Sequence, residues 1–258
     1  MAAILLKDIT IDGSLKDILI QGSRISKIGE AGDSVGWEIY GDIETMDCSG
    51  MVAIPGFVNM HTHSPMSLMR GIEEDVKFQC WLQKIWEVEK NLDHDYVYWA
   101  TKLACLEMIK TGTTTFNDQY WFFEDSVRAA TEMGMRIATG YDVMDKGDPA
   151  EAERQKEQCE KKSAPFLGSG NPCLIYEIAF HAIYSVSENM MLWVNDFARK
   201  HDLNIHIHLS ETLKEVEDCK AAHGGLTPVE YLDRLGILSD RVLAAHTLWV
   251  SPSDIEIL

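Results

Sequence analysis

The chain has 258 residues, 46% of them hydrophobic, enough for one large domain with a sizeable core or for one domain plus a small appendage. Its 23 basic and 41 acidic side chains leave a formal net charge of −18, which repels phosphate backbones and anionic lipid and excludes nucleic acid and membrane surfaces as partners. No uncharged stretch is long enough to span a bilayer, and Met1-Ala2-Ala3-Ile4-Leu5-Leu6-Lys7-Asp8 lacks the basic and long apolar regions of a signal peptide.

Residues 1–53 have the texture of a small β-sheet subdomain. Ile4–Ile11, Lys16–Ile20 and Arg24–Gly29 are short β-like runs, and Gly13, Gly22, Gly29 and Gly32 punctuate them as turns. Over residues 54–258 strand-like and helix-like segments alternate. The first strand, Ile54 to His63, reads as buried, opened by Pro55-Gly56, and a Met-rich loop with Met66 and Met69 follows it. Trp81–Glu89 is helical in pattern, and Asp93 caps a long amphipathic helix from Tyr96 to Lys110 that Gly112 closes. Thr113–Asp118 is strand two, Glu124–Met133 a helix, Arg136–Tyr141 strand three and Ala150–Lys162 a solvated helix. Cys173–His181 is strand four, Ser187–His201 a helix, Asn204–Leu209 strand five, Pro228–Leu235 a helix and Arg241–His246 strand six. A last helix begins at Asp254. Near-continuous apolar strands alternating with helices predict parallel strands covered by helices. No Gly-rich phosphate loop follows the first strand, and chemical residues recur at strand C-terminal ends. Both points favour a TIM-type (β/α)₈ barrel over an open dinucleotide-binding sheet. Six strands are counted, so the barrel is incomplete as given.

The six cysteines (Cys48, Cys80, Cys105, Cys159, Cys173, Cys219) are scattered without a C-x-x-C pair, which reads as reduced thiols in a cytoplasmic protein. Chemistry is concentrated elsewhere. His61 and His63 are spaced i, i+2, so both face one side of their strand and can grip one metal ion. His206 and His208 share a face of strand five, and one of them completes a three-nitrogen site with an open position, the pattern of catalytic zinc. Such a metal ionises water near neutral pH. Glu211, just past that strand, is placed to shuttle protons. His246 closes strand six, to bind the metal or to polarise the attacking water.

Pro55-Gly56-Phe57-Val58-Asn59-Met60-His61-Thr62-His63, His208-Leu209-Ser210-Glu211-Thr212 and Leu243-Ala244-Ala245-His246, in this order and spacing, resemble the amidohydrolase superfamily. Within it the likeness is to 5-methylthioadenosine/S-adenosylhomocysteine deaminases and their neighbours, the chlorotriazine hydrolases and other aminohydrolases. It extends over essentially the whole chain, including Gly112-Thr113-Thr114-Thr115 and Thr227–Leu235. The resemblance implies His61, His63 and His208 as ligands of one divalent metal, zinc for preference, with iron or manganese as alternatives. It implies Glu211 as proton shuttle and His246 beside the metal and the attacked carbon, and leaves His206 a structural or supporting part. It implies Trp81, Glu89 and His181 as substrate contacts, although Phe180 stands where the family has proline before that histidine.

The resulting expectation is a hydrolytic deaminase of an aminopurine nucleoside, in which metal-activated hydroxide attacks the amino-bearing ring carbon and ammonia leaves. Two alternatives stand beside it: an amidohydrolase acting on a triazine, pterin, guanine or cytosine ring, and a non-catalytic metal-binding fragment. The substrate is a small molecule, and the resemblance allows a homo-oligomer. Two departures bear on these readings. The family's strand-eight aspartate and its returning C-terminal β segment have no counterpart up to Leu258, so the chain reads as a piece of a longer enzyme or as catalytically incompetent material. The strand-three position where some nucleoside deaminases carry arginine is Tyr141, which counts against a carboxylate-bearing substrate, and Arg154 reads as a helix surface charge.

Overall fold

The computed structural model describes residues 3–38 and 41–258; Met1, Ala2, Ile39 and Tyr40 lie outside the described residues, and with them the start of the N-terminal reading. The chain divides into two compact units, one ending at Gly56 and one spanning Phe57–Leu258.

The first unit is a four-stranded sheet of β1 (Ala3–Ile11), β2 (Ser14–Gln21), β3 (Arg24–Glu30) and β4 (Ile43–Asp47), in the order β3-β2-β1-β4. Asp12 and Gly13 both have positive φ, 47° and 79°, the backbone a two-residue hairpin requires between β1 and β2. Asp17 is fully buried and accepts hydrogen bonds from the Asp8 and Gly32 amides and the Ser34 hydroxyl. It ties the hairpin to the following turn, and Ile9, Ile18 and Cys48 form the core beneath. The strand β4 was not among the predicted runs; its residues are all exposed, so it lacks the apolar alternation that marks a strand.

The second unit carries six parallel strands in sequential order: β5 (Phe57–Thr62), β6 (Thr113–Asp118), β7 (Arg136–Val143), β8 (Leu174–Phe180), β9 (Ile205–Leu209) and β10 (Val242–His246). Between them run α1 (Phe78–Glu89), α2 (His94–Lys110), α3 (Phe123–Glu132), α4 (Pro149–Ser163), α5 (Glu188–His201), α6 (Leu213–Ala222) and α7 (Pro228–Arg234), with α8 (Pro252–Ile257) after β10. These are six strands of a TIM-type barrel, in sequential order and covered by helices, as the alternating pattern predicts. Helix starts follow local chemistry: the side chains of Asp93, Asp148, Ser187 and Thr212 accept first-turn amides, and Thr227 and Ser251 each complete a capping box. The helix α6 is not among the predicted elements: it is short and half charged, and its apolar stripe is only Leu213, Val216 and Cys219. Gly140 is obligatory on β7: a Cβ there would lie 1.6 Å from the carbonyl oxygen of Glu177 on β8.

One expectation is corrected. The strand carrying His61 and His63 was read as buried, yet Phe57, Val58 and Met60 are 58%, 55% and 56% exposed. Among the described residues the β5 strand is an edge of the six-stranded sheet, paired with β6 alone, so its apolar run lacks the cover that β7, β8 and β9 receive from both sides. The core sits around β8 and β9 instead, where Ile178, Ile205, Ile207 and Leu209 pack with Met190, Val194 and Ala198 of α5.

Candidate active site

The C-terminal ends of all six strands carry polar chemistry: His61, Asp118, Asp142, His181, His208 and His246. Two of these histidines, His61 and His208, and the neighbouring His63 define a donor set. Single donor atoms of His61, His63 and His208 lie within 4.8 Å of one another. The Nδ1 of His63 is 2.6 Å from the carbonyl oxygen of Gln119, and the Nδ1 of His208 is 2.8 Å from that of His181. A carbonyl only accepts, so each Nδ1 carries the hydrogen. Burial holds both pKa values below the usual histidine range, so both rings are neutral and each Nε2 presents a lone pair. Those two Nε2 atoms face each other at 3.2 Å. Two acceptors at that distance repel; a cation between them relieves the repulsion. Tetrahedral zinc with bonds of about 2.0–2.1 Å places its nitrogen ligands about 3.3 Å apart. The donor set therefore fits a divalent cation, with carbonyl-oriented imidazoles of the kind metal sites require.

His61 contributes from the opposite side. Its Nδ1 is 2.8 Å from the Nε2 of His206, which leaves its own Nε2 toward the site. Burial and the surrounding imidazoles push its pKa down to about 3. His206 is completely buried, and its Nδ1 lies 3.3 Å from Glu177 Oε1, out of line for a hydrogen bond. Glu177 Oε2 accepts from the Asn117 amide at 3.2 Å. Thus Asn117, Glu177 and His206 form a polar layer beneath the histidines, on β6, β8 and β9. Asp118 braces the loop after β5: it accepts from the Thr62 hydroxyl at 2.9 Å, the Ser64 amide at 2.6 Å and the Ser64 hydroxyl at 2.9 Å.

Glu211 and His246 stand across from the donor set, with His246 Nε2 3.6 Å from Glu211 Oε1. Burial, aided by the Glu215 carboxylate, pushes the Glu211 carboxyl up to about 7. Glu215 also fixes the loop that carries Glu211. Its two carboxylate oxygens accept from the Ser210 amide at 2.8 Å and the Glu211 amide at 2.9 Å. Ser210 has a φ of 51°, His246 of 74° and Thr247 of 46°, all in the left-handed region. Non-glycine residues adopt that region uncommonly, and three of them fall in the two loops that carry Glu211 and His246. Burial lowers the His246 pKa, which keeps that ring neutral.

His61, His63, His208, Glu211 and His246 line one cavity of about 500 Å³, and Trp81, Glu89 and His181 line it too. The eight residues singled out from sequence therefore meet in one place. Phe78 stacks on Trp81, 5.9 Å between centroids, and with Leu82 and Ile85 makes an apolar wall. Met66 of the Met-rich loop joins the lining, whereas Met69 is buried in the cluster behind it with Tyr120. Glu89 is hydrogen-bonded by Tyr120 and Trp121, and burial raises its pKa. His181 Nδ1 is 2.7 Å from the Ser185 hydroxyl, and burial lowers its pKa to about 4. Sequence reasoning did not select Asp142, Glu177 or Glu215. Asp142 lines the cavity, accepts from the Gln119 amide at 3.2 Å and is pushed up to about 7 by burial. Glu177 was visible as an acid inside the apolar run Cys173–His181, and Asp142 as an acid at a strand end on the histidine rim. Glu215 carried no such mark.

The sequence profile described as "Amidohydrolase family" matches residues 52–258. The chain is 39% identical over 257 residues to the 5'-deoxyadenosine deaminase of Methanocaldococcus jannaschii, covering 99% of this chain and 60% of that protein. It is 42% identical over 249 residues to the 5-methylthioadenosine/S-adenosylhomocysteine deaminase of Thermococcus sibiricus, covering 94% of this chain and 56% of that protein. The chain thus spans less than two thirds of either relative. Among solved structures, an adenosine deaminase from Xanthomonas campestris with bound zinc superposes with a TM-score of 0.82 at 25% identity, covering 99% of this chain and 60% of that one. An atrazine chlorohydrolase from Arthrobacter aurescens complexed with zinc superposes with a TM-score of 0.81 at 22% identity, covering 100% and 63%.

Proposed function

The chain belongs to the amidohydrolase family, and from that premise we propose that its cavity is the site of hydrolytic deamination of an adenine nucleoside lacking a 5′-hydroxyl, of the 5'-deoxyadenosine or 5-methylthioadenosine kind. The observation that carries the reading is the pair of neutral Nε2 atoms of His63 and His208 at 3.2 Å, with Glu211 and His246 on the same cavity. When bound by His61, His63 and His208, a divalent cation, zinc by the chemistry of an all-imidazole donor set, supplies the charge that makes a water nucleophilic at neutral pH.

The protein's own groups divide the remaining work. Phe78 and Trp81 offer flat apolar faces against which a purine stacks. Glu89, presented into the cavity by Tyr120 and Trp121, accepts a ribose hydroxyl. Glu211, held near its titration point, takes a proton from the attacking water and delivers it to the ring nitrogen. The water oxygen bonds to the amino-bearing carbon; Glu211 then carries that oxygen's remaining proton to the amino group, the carbon–amine bond breaks, and ammonia leaves as the ring carbonyl forms. Neutral His246, 3.6 Å from Glu211, hydrogen-bonds the oxygen added to the ring. His181 presents its second ring nitrogen to the substrate.

The test is ammonia release from 5'-deoxyadenosine, 5-methylthioadenosine and adenosine by metal-loaded protein, with guanine, cytosine and triazines as a comparison panel. Turnover of an adenine nucleoside, lost on chelation and restored by zinc, supports the reading; turnover of only another ring removes it. The six free cysteines suit a reducing, cytoplasmic setting. No helix among the described residues is long and apolar enough to cross a membrane.

A further inference from the structure

The two chain neighbours of His63 are both held by one buried side chain. His63 lies one residue beyond β5, so the strand ladder does not set its direction. Asp118, which ends β6, is 1% exposed. Its Oδ1 accepts from the Thr62 hydroxyl at 2.9 Å and from the Ser64 amide at 2.6 Å, and its Oδ2 accepts from the Ser64 hydroxyl at 2.9 Å. The next residue completes the grip. The Gln119 amide donates to the Thr62 carbonyl at 3.0 Å, and the Gln119 carbonyl accepts from His63 Nδ1 at 2.6 Å. Five hydrogen bonds therefore tie Asp118 and Gln119 to the Thr62-His63-Ser64 tripeptide, with the metal-site histidine in the middle.

This clamp is anchored from behind. The Asp118 carbonyl accepts from the Thr139 hydroxyl of β7 at 2.7 Å. Ser64 gives its hydroxyl hydrogen to Asp118, so toward Thr101, 3.3 Å away, it accepts. Thr101, having donated to Ser64, accepts from Ser126 at 3.2 Å. All three hydroxyl residues are buried, and the row they form leads from the clamp into α2 and α3. Burying hydroxyls costs desolvation and adds little apolar contact, so alanine and valine would fill this space better. Asp118 itself lies behind the lining of the histidine cavity, so it works on His63 and not on a ligand there. We propose that Asp118 is a positioning residue for the cation site: by holding Thr62 and Ser64 it fixes the direction of the His63 Nε2 lone pair. The proposal rests on the reading of His61, His63 and His208 as ligands of one divalent cation.

Asp118→Ala removes three of the five bonds. It also leaves the Ser64 amide buried without a partner, which costs stability. A second variant, Thr62→Val combined with Ser64→Ala, removes both hydroxyls and keeps the bond from that amide, and it decides the matter if Asp118→Ala does not fold. Competition with a chelator reads zinc affinity. The visible spectrum of the cobalt-substituted protein reads ligand geometry, whatever the activity. Both variants are expected to weaken zinc binding by about 10–100-fold, the usual effect of losing a group that orients a ligand, and to shift the cobalt bands. A double-mutant cycle locates the effect. In a His63→Asn background either variant should weaken zinc no further, whereas in a His61→Asn background its effect should persist. A purely structural role would lower the unfolding midpoint of metal-free protein and leave the zinc affinity and cobalt bands of the folded protein unchanged. That result, or an equal effect in the two histidine backgrounds, overturns the proposal while leaving the cation site standing. Unsubstituted protein that takes up neither zinc nor cobalt overturns both.

Discussion

The Nε2 atoms of His63 and His208 lie 3.2 Å apart although the residues are separated by 145 positions in the chain. Each ring is turned by a backbone carbonyl on its far nitrogen, Gln119 for one and His181 for the other, so neither aims by chance. The two lone pairs share one point in space.

Metal retention follows from that geometry. His63→Asn or His208→Asn should weaken zinc binding by about 100-fold or more, because a three-donor site loses a ligand. Competition with a chromogenic chelator reads the affinity. Removing the metal from unsubstituted protein should lower its unfolding free energy by about 3–4 kcal/mol at metal concentrations far above the dissociation constant. A chain whose denaturation midpoint ignores chelation would speak against a cation in this cavity.

Support beneath the ligands matters separately. Glu177→Gln disturbs the buried Asn117–Glu177–His206 layer that sets His61, whose Nδ1 is 2.8 Å from His206. The expected outcome is metal affinity lower by about 10–100-fold, the usual cost of losing a supporting partner. Unchanged affinity at unchanged stability would mean that the layer only fills the barrel.

Glu215 should act through Glu211. Replacing it with glutamine leaves one acceptor oxygen for two amides, those of Ser210 and Glu211, and turns a donor toward the other. We expect kcat to fall about 10–100-fold with a smaller change in KM, since orientation of the proton carrier suffers more than binding. The pH profile should move as well, because Glu215 raises the Glu211 pKa. A loss in kcat without any shift of that profile would point to a general structural role.

Glu211 also gives a stability signature in chelated protein. Its pKa is about 7 in the folded chain and near 4.5 when unfolded. Between those values the folded state binds more protons, so stability is greatest below about pH 4.5 for this group and falls as pH rises toward 7. Glu211→Gln removes that slope and should make the metal-free protein more stable at pH 8, by at most about 3.5 kcal/mol at about 1.4 kcal/mol per pKa unit. Urea unfolding at pH 5 and pH 8 checks both the sign and the window.

Gly140→Ala is the sharpest test of strand packing. The added carbon would meet the Glu177 carbonyl at 1.6 Å, so β7 and β8 must part. A loss of about 3 kcal/mol or more is expected, beyond ordinary overpacking, because the obstacle is backbone rather than a flexible side chain. Thermal or urea melts measure it.

Alternation of apolar strands with capped helices is a local property, and it made the second unit legible from residues alone. So was the i, i+2 spacing at His61 and His63, which puts both imidazoles on one side of any extended strand. Legibility failed where the deciding partner is remote. The helix α6 is short and half charged, β4 has no buried face, and the exposure of β5 depends on what packs along its edge. Asp142 looked like any strand-end acid until burial beside Gln119 lifted its pKa.

By itself the sequence determined which donors exist, on which kind of element, and that they recur at strand ends. Only the tertiary structure decided which of them meet: that His208 faces His63 while its neighbour His206 turns inward to His61, and that Glu215 holds the amide of Glu211. Period and capping act over a few residues through backbone geometry. The direction of a ring nitrogen and the pKa of a buried acid are set by register between strands and by loss of water, which arise only when distant segments pack.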